Sequence, residues 1–158
     1  MDSYHFFHLD RSLHEDLFLD LVGSLPSGSH FNWSMTGWRQ AWANPNDLFF
    51  VAQGTSTSPL LSGVLGTVIL YRKVLDSLEI LALATHPGFR RQGLMQKTLQ
   101  QFFAANHQCT QSWLEVHADN TPALAFYRQQ GWQQQGVRPH YYQDGASAIV
   151  FTKDLQNR

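Results

Sequence analysis

The chain has 158 residues and a mass of 18.1 kDa, the size of one ordinary domain. Hydrophobic residues make up 43% and charged residues 15%, a composition that excludes a disordered chain. The formal net charge of −1 argues against a nucleic-acid partner bound through a global basic field. Cys109 is the single cysteine, and we read neither a signal peptide nor a membrane span, so we expect a soluble, cytoplasmic protein without a membrane partner.

The N-terminal half predicts the element order β-α-α-β-β-β. Its predicted elements are a strand at Tyr4–Leu9, a helix capped by Asp10, a shorter helix capped by Ser34 that runs to Ala43, and strands at Leu48–Val51, Leu60–Tyr71 and Leu78–Thr85. The first helix is indicated by apolar residues at helical spacing, namely Leu13, Leu17, Phe18, Leu21 and Val22. A turn is expected around Val74–Ser77, between the last two strands.

The C-terminal half alternates strands and helices, which predicts a mixed α/β sheet. Its predicted elements are a helix that begins at Gln92-Gly93, a strand at Ser112–His117, a helix capped by Asp119 or Asn120 with Pro122 in its first turn and Gly131 at its end, and a closing hairpin of Trp132–Tyr142 and Ala146–Lys153 around Asp144-Gly145. The face of the first of these helices is apolar, with Met95, Leu99, Phe102 and Phe103.

Cations are concentrated in one segment of this nearly neutral chain. No acidic residue occurs between Glu79 and Glu115, whereas Arg90, Arg91 and Lys97 lie in that interval. The pattern favours a small anionic ligand, and a solvated basic helix start would give the same pattern.

The segment around Gly93 joins a predicted strand to a predicted helix. The first N–H groups of a helix have no internal partners, and the helix dipole makes that end attractive to anions. Gly93 removes a side chain that would block close approach, and Arg90 and Arg91 supply charge-assisted hydrogen bonds. These residues predict a pyrophosphate cradle; the alternative is that Gly93 is an ordinary turn residue.

Several motifs of the chain resemble a known family. Leu83-Ala84-Thr85-His86-Pro87 followed by Arg90-Arg91-Gln92-Gly93-Leu94 resembles the coenzyme-A motif R/Q-x-x-G-x-G/A of the GNAT superfamily of N-acetyltransferases. The resemblance continues through Leu114-Glu115-Val116, Asn120, Ala123, Phe126-Tyr127 and Gly131-Trp132. It implies one domain over residues 1–158, an acetyl-CoA-binding core at about 78–131, and a mixed, mostly antiparallel sheet of about seven strands flanked by about four helices.

Further features are similar to the branch that acetylates protein N-termini, especially the bacterial ribosomal-protein alanine N-acetyltransferases. They are Arg138 and Tyr141-Tyr142 before the last strand, and Trp33-Ser34 upstream. The resemblance is good over residues 78–153 and thin over residues 1–60. Pro139 and His140 replace residues that the alanine-acetylating branch usually has.

The resemblance implies acetyl-CoA as the cosubstrate, with no metal. The residues it assigns to acetyl-CoA binding are Leu83, Ala84, Thr85, Arg90, Arg91, Gln92, Gly93, Leu94, Met95, Gln96 and Asn120. Main-chain groups of Leu83 and Thr85 contact the pantetheine arm, as does Asn120, while residues 91–96 present N–H groups to the pyrophosphate. Met95 stands where the motif has a second small residue, so its side chain either crowds the pyrophosphate or points into the core.

The implied reaction is attack of a neutral primary amine on the thioester, with Glu115 as the base and Tyr127 as the general acid. An α-amino group with a pKa of about 7.7–8 is roughly a tenth neutral at pH 7, whereas a lysine costs about 3.5 kcal/mol more to deprotonate. One modest base therefore favours N-terminal amines. The alternatives are a carboxylate of Glu115 paired with an arginine, and a Tyr127 that only packs in the core.

The acceptor-binding residues that the resemblance implies are Trp33, Tyr141 and Tyr142, which as hairpin or core aromatics need no function. The leading acceptor is a protein N-terminus, and the N-terminus of a ribosomal protein is one candidate. A small amine such as a polyamine, amino acid or aminoglycoside is one alternative, and a non-catalytic acyl-CoA-binding module is another. The eight histidines show no ligand spacing, so we expect no metal site.

Overall fold

A computed structural model describes residues 3–26, 33–55 and 62–156. These described residues form seven strands, four α-helices and one short 3₁₀ turn. In chain order they are β1 (Ser3–His8), α1 (Glu15–Ser24), α2 (Met35–Ala43), β2 (Leu48–Thr55), β3 (Leu65–Val74), β4 (Ser77–Thr85), the 3₁₀ turn (Pro87–Phe89), α3 (Leu94–Ala105), β5 (Gln111–His117), α4 (Thr121–Gln129), β6 (Gln133–Arg138) and β7 (Ala148–Asp154). The predicted order of elements and the α/β class are confirmed.

The strands of the described residues follow the order β1-β2-β3-β4-β5-β7-β6 in one sheet. The pairs β1–β2, β2–β3, β5–β7 and β6–β7 are antiparallel, and β4–β5 is parallel. The predicted mixed, mostly antiparallel sheet is therefore confirmed. A parallel pair requires a long crossover between its strands, and α3 lies in the connection from β4 to β5.

The chain divides into two compact units. The first comprises Met1–Arg72 and Ala82–Ala105, and the second comprises Lys73–Leu81 and Asn106–Arg158. In the first unit, Phe18 of α1 stacks on Trp42 of α2 with ring centroids 4.4 Å apart and meets Phe49 of β2 edge-on at 5.0 Å. The next residue of β2, Phe50, contacts Phe102 of α3 at 5.6 Å. Because successive strand residues point to opposite faces, β2 packs against helices on both sides.

The start of α1 differs from the prediction. The helix begins at Glu15 with His14 as its N-cap, and Leu13 is 75% exposed rather than part of the apolar face. Asp10 does not cap this helix, because its Oδ1 accepts the N–H of Ser12 at 2.8 Å and forms a local turn. A short acidic side chain that bonds the backbone two residues on offers an alternative to helix, and here that alternative delays the helix.

Two other helix caps agree with the prediction. Ser34 accepts the N–H of Gly37 at 3.0 Å at the start of α2. Asn120, rather than Asp119, is the N-cap of α4, with its Oδ1 accepting the N–H of Ala123 at 3.3 Å. Gly131 follows this helix with a φ of 80°, a left-handed conformation that glycine adopts without strain.

The strands around two loops are shorter than predicted. β3 begins at Leu65, and the first residues of the predicted strand, 60 and 61, lie outside the described residues. The strand predicted to reach Tyr142 ends at Arg138, so the closing turn is a nine-residue connection, the β6–β7 loop (residues 139–147). Pro139 has no N–H to pair, and His140 has a positive φ of 51°, so the backbone leaves the strand here. Tyr141 and Tyr142 therefore lie in a loop.

The helices in the described ranges are all too short or too polar to cross a membrane.

Candidate active site

The first unit carries the predicted pyrophosphate cradle between β4 and α3. The first helical hydrogen bond of α3 runs from the N–H of Lys97 to the carbonyl of Gly93 at 3.1 Å, so the N–H groups of residues 94–96 precede the hydrogen-bond ladder of the helix. Arg90, Arg91, Gln92 and Gly93 are exposed beside them. This junction places the first N–H groups of α3 and two guanidinium groups in one segment, which suits an anion.

The backbone of the cradle is held in unusual conformations. Gly93 has a φ of 70° and Arg91 has a φ of 59°. A Cβ on Gly93 would meet no heavy atom within 4 Å, so its backbone conformation rather than a lack of space requires glycine here. For Arg91 the left-handed conformation costs on the order of 1 kcal/mol.

Side chains around the cradle fix the direction in which it leaves β4. The Nε of Arg90 donates to the carbonyl of Thr85 at 3.3 Å, and the Nε2 of Gln92 donates to the carbonyl of Gly88 at 3.1 Å. His86 accepts the N–H of Gly88 through Nδ1 at 3.0 Å. The segment at the end of β4, Leu83 to Thr85, is half-buried. Arg90 is thus partly engaged with the strand end.

The first turn of α3 is anchored on β3. Leu94 is 2% exposed, and a Cβ on Gly66 would approach its Cδ2 to 2.6 Å. The hydroxyls of Thr67 and Thr98 are hydrogen-bonded at 2.8 Å, and Thr98 also donates to the carbonyl of Leu94. Met95 is half-buried, between the buried Leu94 and the exposed Gln96. The helix start is held in place by one buried leucine and one buried threonine pair.

In the second unit, Glu115 lies at the centre of a polar cluster on β5. Its Oε1 accepts from Nε of Arg138 at 2.9 Å, and the side chain of Glu115 is 15% exposed. The hydroxyl of Tyr141 is hydrogen-bonded to Glu115, and that bond, ahead of burial, raises the pKa of Tyr141. The guanidinium of Arg138 lies 5.6 Å from the centroid of the Tyr141 ring. The carboxylate is therefore paired with an arginine, which is the arrangement that the sequence left open as an alternative.

The ring of Tyr142 packs against a second polar pair, His117 and Asp144. It stacks on the ring of His117 with centroids 4.7 Å apart and planes 29° from parallel. Nε2 of His117 is 2.7 Å from Oδ2 of Asp144 in the β6–β7 loop. Burial first, and then the charge of Glu115, raise the pKa of Tyr142 to about 12. The structure therefore brings Glu115, Tyr141 and Tyr142 into one cluster.

Tyr127 lies on α4 and is 8% exposed. Its ring meets Trp132 edge-on at 5.7 Å and contacts Phe151 of β7 at 6.0 Å. Burial raises the pKa of its phenol. A phenol with a raised pKa holds its proton and donates a hydrogen bond, which suits stabilisation of a developing anion more than full proton release.

The remaining predicted residues lie in separate places. Asn120 caps α4 in the second unit through its Oδ1. Trp33 belongs to the first unit, is 38% exposed and contacts Trp38 with centroids 5.5 Å apart. Among the described residues, no cluster of three or more His, Cys, Asp or Glu side chains could hold a metal ion.

Sequence reasoning missed the roles of His117 and Asp144. His117 follows Glu115 by two residues on a strand, so period-two alternation already places the two on one face of β5. Asp144 was read only as part of a turn. Asp144 is far from His117 along the chain, so no short sequence pattern predicts the contact between these two residues.

Together with the mixed sheet, a family match defines the class of protein, an enzyme that transfers acetyl groups. Residues 11–132 match the profile of the Acetyltransferase (GNAT) family, and the chain belongs to this family, as its motifs predicted.

The chain is similar to several known proteins. It is 29% identical over 125 residues to the N-alpha-acetyltransferase RimI of Mycobacterium tuberculosis, covering 77% of this chain and 75% of that protein. It is 29% identical over 83 residues to the [ribosomal protein bS18]-alanine N-acetyltransferase of Escherichia coli, covering 51% of this chain and just over half, 56%, of that protein. The crystal structure of the ribosomal-protein-S18-alanine N-acetyltransferase from Escherichia coli shares the fold, with a TM-score of 0.73, 23% identity and coverage of 97% and 94% of the two chains.

Proposed function

We propose that this enzyme transfers the acetyl group of acetyl-CoA to the α-amino group of a protein N-terminus, by direct attack of the amine while both substrates are bound. The observation that carries the proposal is the cradle of residues 90–96, where the exposed side chains of Arg90 and Arg91 lie directly before the first N–H groups of α3. Such a segment suits a pyrophosphate and offers little to an apolar ligand.

In this proposal the first unit holds acetyl-CoA. Main-chain groups of Leu83 and Thr85 bind the pantetheine arm, and N–H groups of residues 91–96 bind the pyrophosphate. The half-buried position of Met95 supports a side chain that lies beside the cradle and leaves its N–H groups accessible. Asn120 offers its Nδ2 group to the pantetheine arm, because its Oδ1 already caps α4.

The second unit supplies the chemistry of the acetyl transfer. The amine nitrogen forms a bond to the thioester carbon, the carbon–sulfur bond breaks, and the electron pair leaves on the sulfur of coenzyme A. Glu115 accepts the proton of the amine, directly or through a water, and Tyr127 donates a hydrogen bond to the departing thiolate. The raised pKa of Tyr127 supports its role as a hydrogen-bond donor, since the phenol stays protonated throughout the reaction.

An α-amine is the acceptor that suits a site with one carboxylate base that is already hydrogen-bonded. The carboxylate of Glu115 already accepts hydrogen bonds from Arg138 and Tyr141, so it suits an amine of which about a tenth is neutral at pH 7. The ion pair with Arg138 also offsets the negative charge of Glu115, which would otherwise attract a polyamine. The pair therefore weighs against a polyamine as the acceptor. Two relatives, which are named N-alpha-acetyltransferase RimI and [ribosomal protein bS18]-alanine N-acetyltransferase, support the same choice. We place the reaction in the cytoplasm, where ribosomal proteins are made.

The decisive experiment measures release of free coenzyme-A thiol from acetyl-CoA with peptides that begin with Ala, Ser or Met. Each peptide is paired with an N-blocked twin that carries the same lysine side chains. We expect thiol release and a mass increase of one acetyl group only with free N-termini. Equal activity on free and blocked peptides would refute the α-amine assignment, and binding of acetyl-CoA without turnover on any amine would indicate a non-catalytic module. Glu115→Gln is the matched variant, expected to bind acetyl-CoA and to lose turnover.

A further inference from the structure

The β6–β7 loop (residues 139–147) carries Tyr141 and Tyr142, and besides the hydrogen bond of Tyr141 to Glu115 it contacts the end of β5 through the pair of Asp144 with His117. His117 of β5 is 4% exposed, and its Nε2 lies 2.7 Å from Oδ2 of Asp144 in the loop. The backbone adds one further tie, from the N–H of Ala118 to the carbonyl of Ser147 at 2.9 Å. The mechanism described above uses neither His117 nor Asp144.

The hydrogen bonds of His117 fix its tautomer. Nδ1 faces the N–H of Asp119 at 3.1 Å, and a backbone N–H can only donate, so Nδ1 is the acceptor. Nε2 then carries the proton of the neutral ring and donates to Asp144. Only an acceptor at position 144 satisfies this geometry. The ring is consequently held at both nitrogens, with its face beneath Tyr142 at 4.7 Å.

The loop residues around Asp144 form a closed turn that is held by its own hydrogen bonds. The N–H of Tyr142 donates to the carbonyl of Ala146 at 3.0 Å, and the N–H of Gly145 donates to the carbonyl of Tyr142 at 2.9 Å. Oδ1 of Asp144 accepts the N–H of Ala146 at 3.0 Å. A hydrogen bond to the other oxygen of Asp144 therefore positions the whole turn, and Tyr142 with it.

We propose that His117 and Asp144 form a latch that positions Tyr142 for the acceptor, so that both are positioning residues for binding of the peptide N-terminus. The inference rests on the proposed function for its acceptor. The latch holds the tyrosine ring over an immobile imidazole, which reduces the entropy lost when a peptide binds. The latch acts on acceptor binding and leaves acetyl-CoA binding to the first unit.

The substitutions that test the latch are chosen from the hydrogen-bond directions that the tautomer of His117 requires. Asp144→Asn keeps Oδ1 for Ala146 but presents an NH₂ group to the N–H of His117, which breaks the latch. His117→Phe keeps a ring under Tyr142 and removes the hydrogen bonds of His117 with Asp119 and Asp144. His117→Gln combined with Asp144→Asn restores an acceptor-to-donor pair, because each amide offers both groups. Asp154→Asn is the matched control, since Oδ1 of Asp154 accepts the N–H of Gln156 at 2.8 Å in a similar local turn of the same unit.

Two measurements test the latch on the full chain. In steady-state kinetics with an Ala-initiated peptide, Asp144→Asn and His117→Phe should raise the peptide KM at least about fivefold, with kcat and the acetyl-CoA KM within about twofold of wild type. The double variant His117→Phe/Asp144→Asn should be no worse than either single variant, and His117→Gln should partly rescue Asp144→Asn. In the ligand-free protein, amide hydrogen exchange in residues 140–146 should be at least about tenfold faster in both single variants and unchanged in Asp154→Asn.

The outcomes separate the latch from the proposed function. Unchanged exchange in Asp144→Asn and His117→Phe overturns the latch whatever the activity. Faster exchange with an unchanged peptide KM overturns the role of the latch in acceptor binding. A rise in the acetyl-CoA KM as large as the rise in the peptide KM overturns that role as well. A wild-type protein that acetylates no peptide refutes the proposed function, and with it the acceptor role, while the exchange measurement still decides whether the latch exists.

Discussion

Adding one carbon atom at Gly66 of β3 tests whether the packing of Leu94 on this strand positions the cradle. A Cβ there would lie 2.6 Å from Cδ2 of Leu94 and 3.1 Å from Cγ of Phe89. Carbon atoms in contact prefer about 3.5–4.0 Å, so Leu94 must yield by roughly 1 Å. Leu94 and Phe89 are each 2% exposed and pack in one cluster with Ala52, which leaves little room for that movement.

Overpacking of this size in a buried cluster costs about 1–3 kcal/mol of unfolding free energy. For a chain of this length a loss of about 2 kcal/mol lowers Tm by roughly 4–8 °C. Leu94 is also the first residue of α3, so the displacement reaches the N–H groups that we assign to the pyrophosphate. We therefore expect Gly66→Ala to weaken acetyl-CoA binding about tenfold, because a shift of about 1 Å breaks hydrogen bonds from these N–H groups that are each worth about 0.5–1.5 kcal/mol.

Urea unfolding and isothermal titration calorimetry with acetyl-CoA measure the two effects. Gly23→Ala is the control, because a Cβ at Gly23 meets no atom within 4 Å and alanine in α1 adds up to about 1 kcal/mol of stability. If Gly66→Ala unfolds and binds like wild type, the packing of Leu94 on β3 does not position the cradle. A stability loss with unchanged affinity would refute the link from Leu94 to the pyrophosphate site alone.

Three further predictions concern single side chains. Tyr127→Phe should lower turnover at least about tenfold with nearly unchanged acetyl-CoA binding by calorimetry, because only the hydrogen bond to the thiolate is lost; an unchanged turnover number removes Tyr127 from the mechanism. Arg91→Gly should keep the free energy of unfolding within about 1 kcal/mol of wild type, since relief of the left-handed strain offsets the entropy of glycine, yet weaken acetyl-CoA binding and flatten its salt dependence. Arg91→Ala shares the binding defect and retains the strain, so wild-type affinity in both variants would contradict a contact with the pyrophosphate. The pKa of Tyr142, raised from an unfolded value near 10 to about 12, means that the native state prefers the neutral phenol: its stabilisation is complete below about pH 10 and is lost as pH rises toward 12. Urea unfolding at pH 8 and pH 11 should show a smaller fall for Tyr142→Phe than for wild type, and equal falls would argue against the burial of this phenol.

Much of the local structure was predictable from neighbouring residues. The caps at Ser34 and Asn120 and the stop at Gly131 depend on hydrogen bonds and φ angles within a few positions, so short patterns report them. The cradle is of the same kind, because a glycine and two arginines at a strand–helix junction determine its chemistry. Asp10 is the exception, where two local patterns competed and the turn to Ser12 prevailed over the helix cap.

The sequence by itself determined the order of elements, the family and the strand–helix junction at Gly93, since each depends on residues that are close along the chain. Only the tertiary structure decided the surroundings of Glu115. Its partner Arg138 is reached through the pairing of β5 with β7 and of β7 with β6, in which Glu115 lies opposite Val150 and Arg138 opposite Ala148. His117 and Asp144 meet in the same way across 27 residues. Pairings of this kind depend on strand register, which is set by packing of whole strands and leaves no mark in a short stretch of sequence.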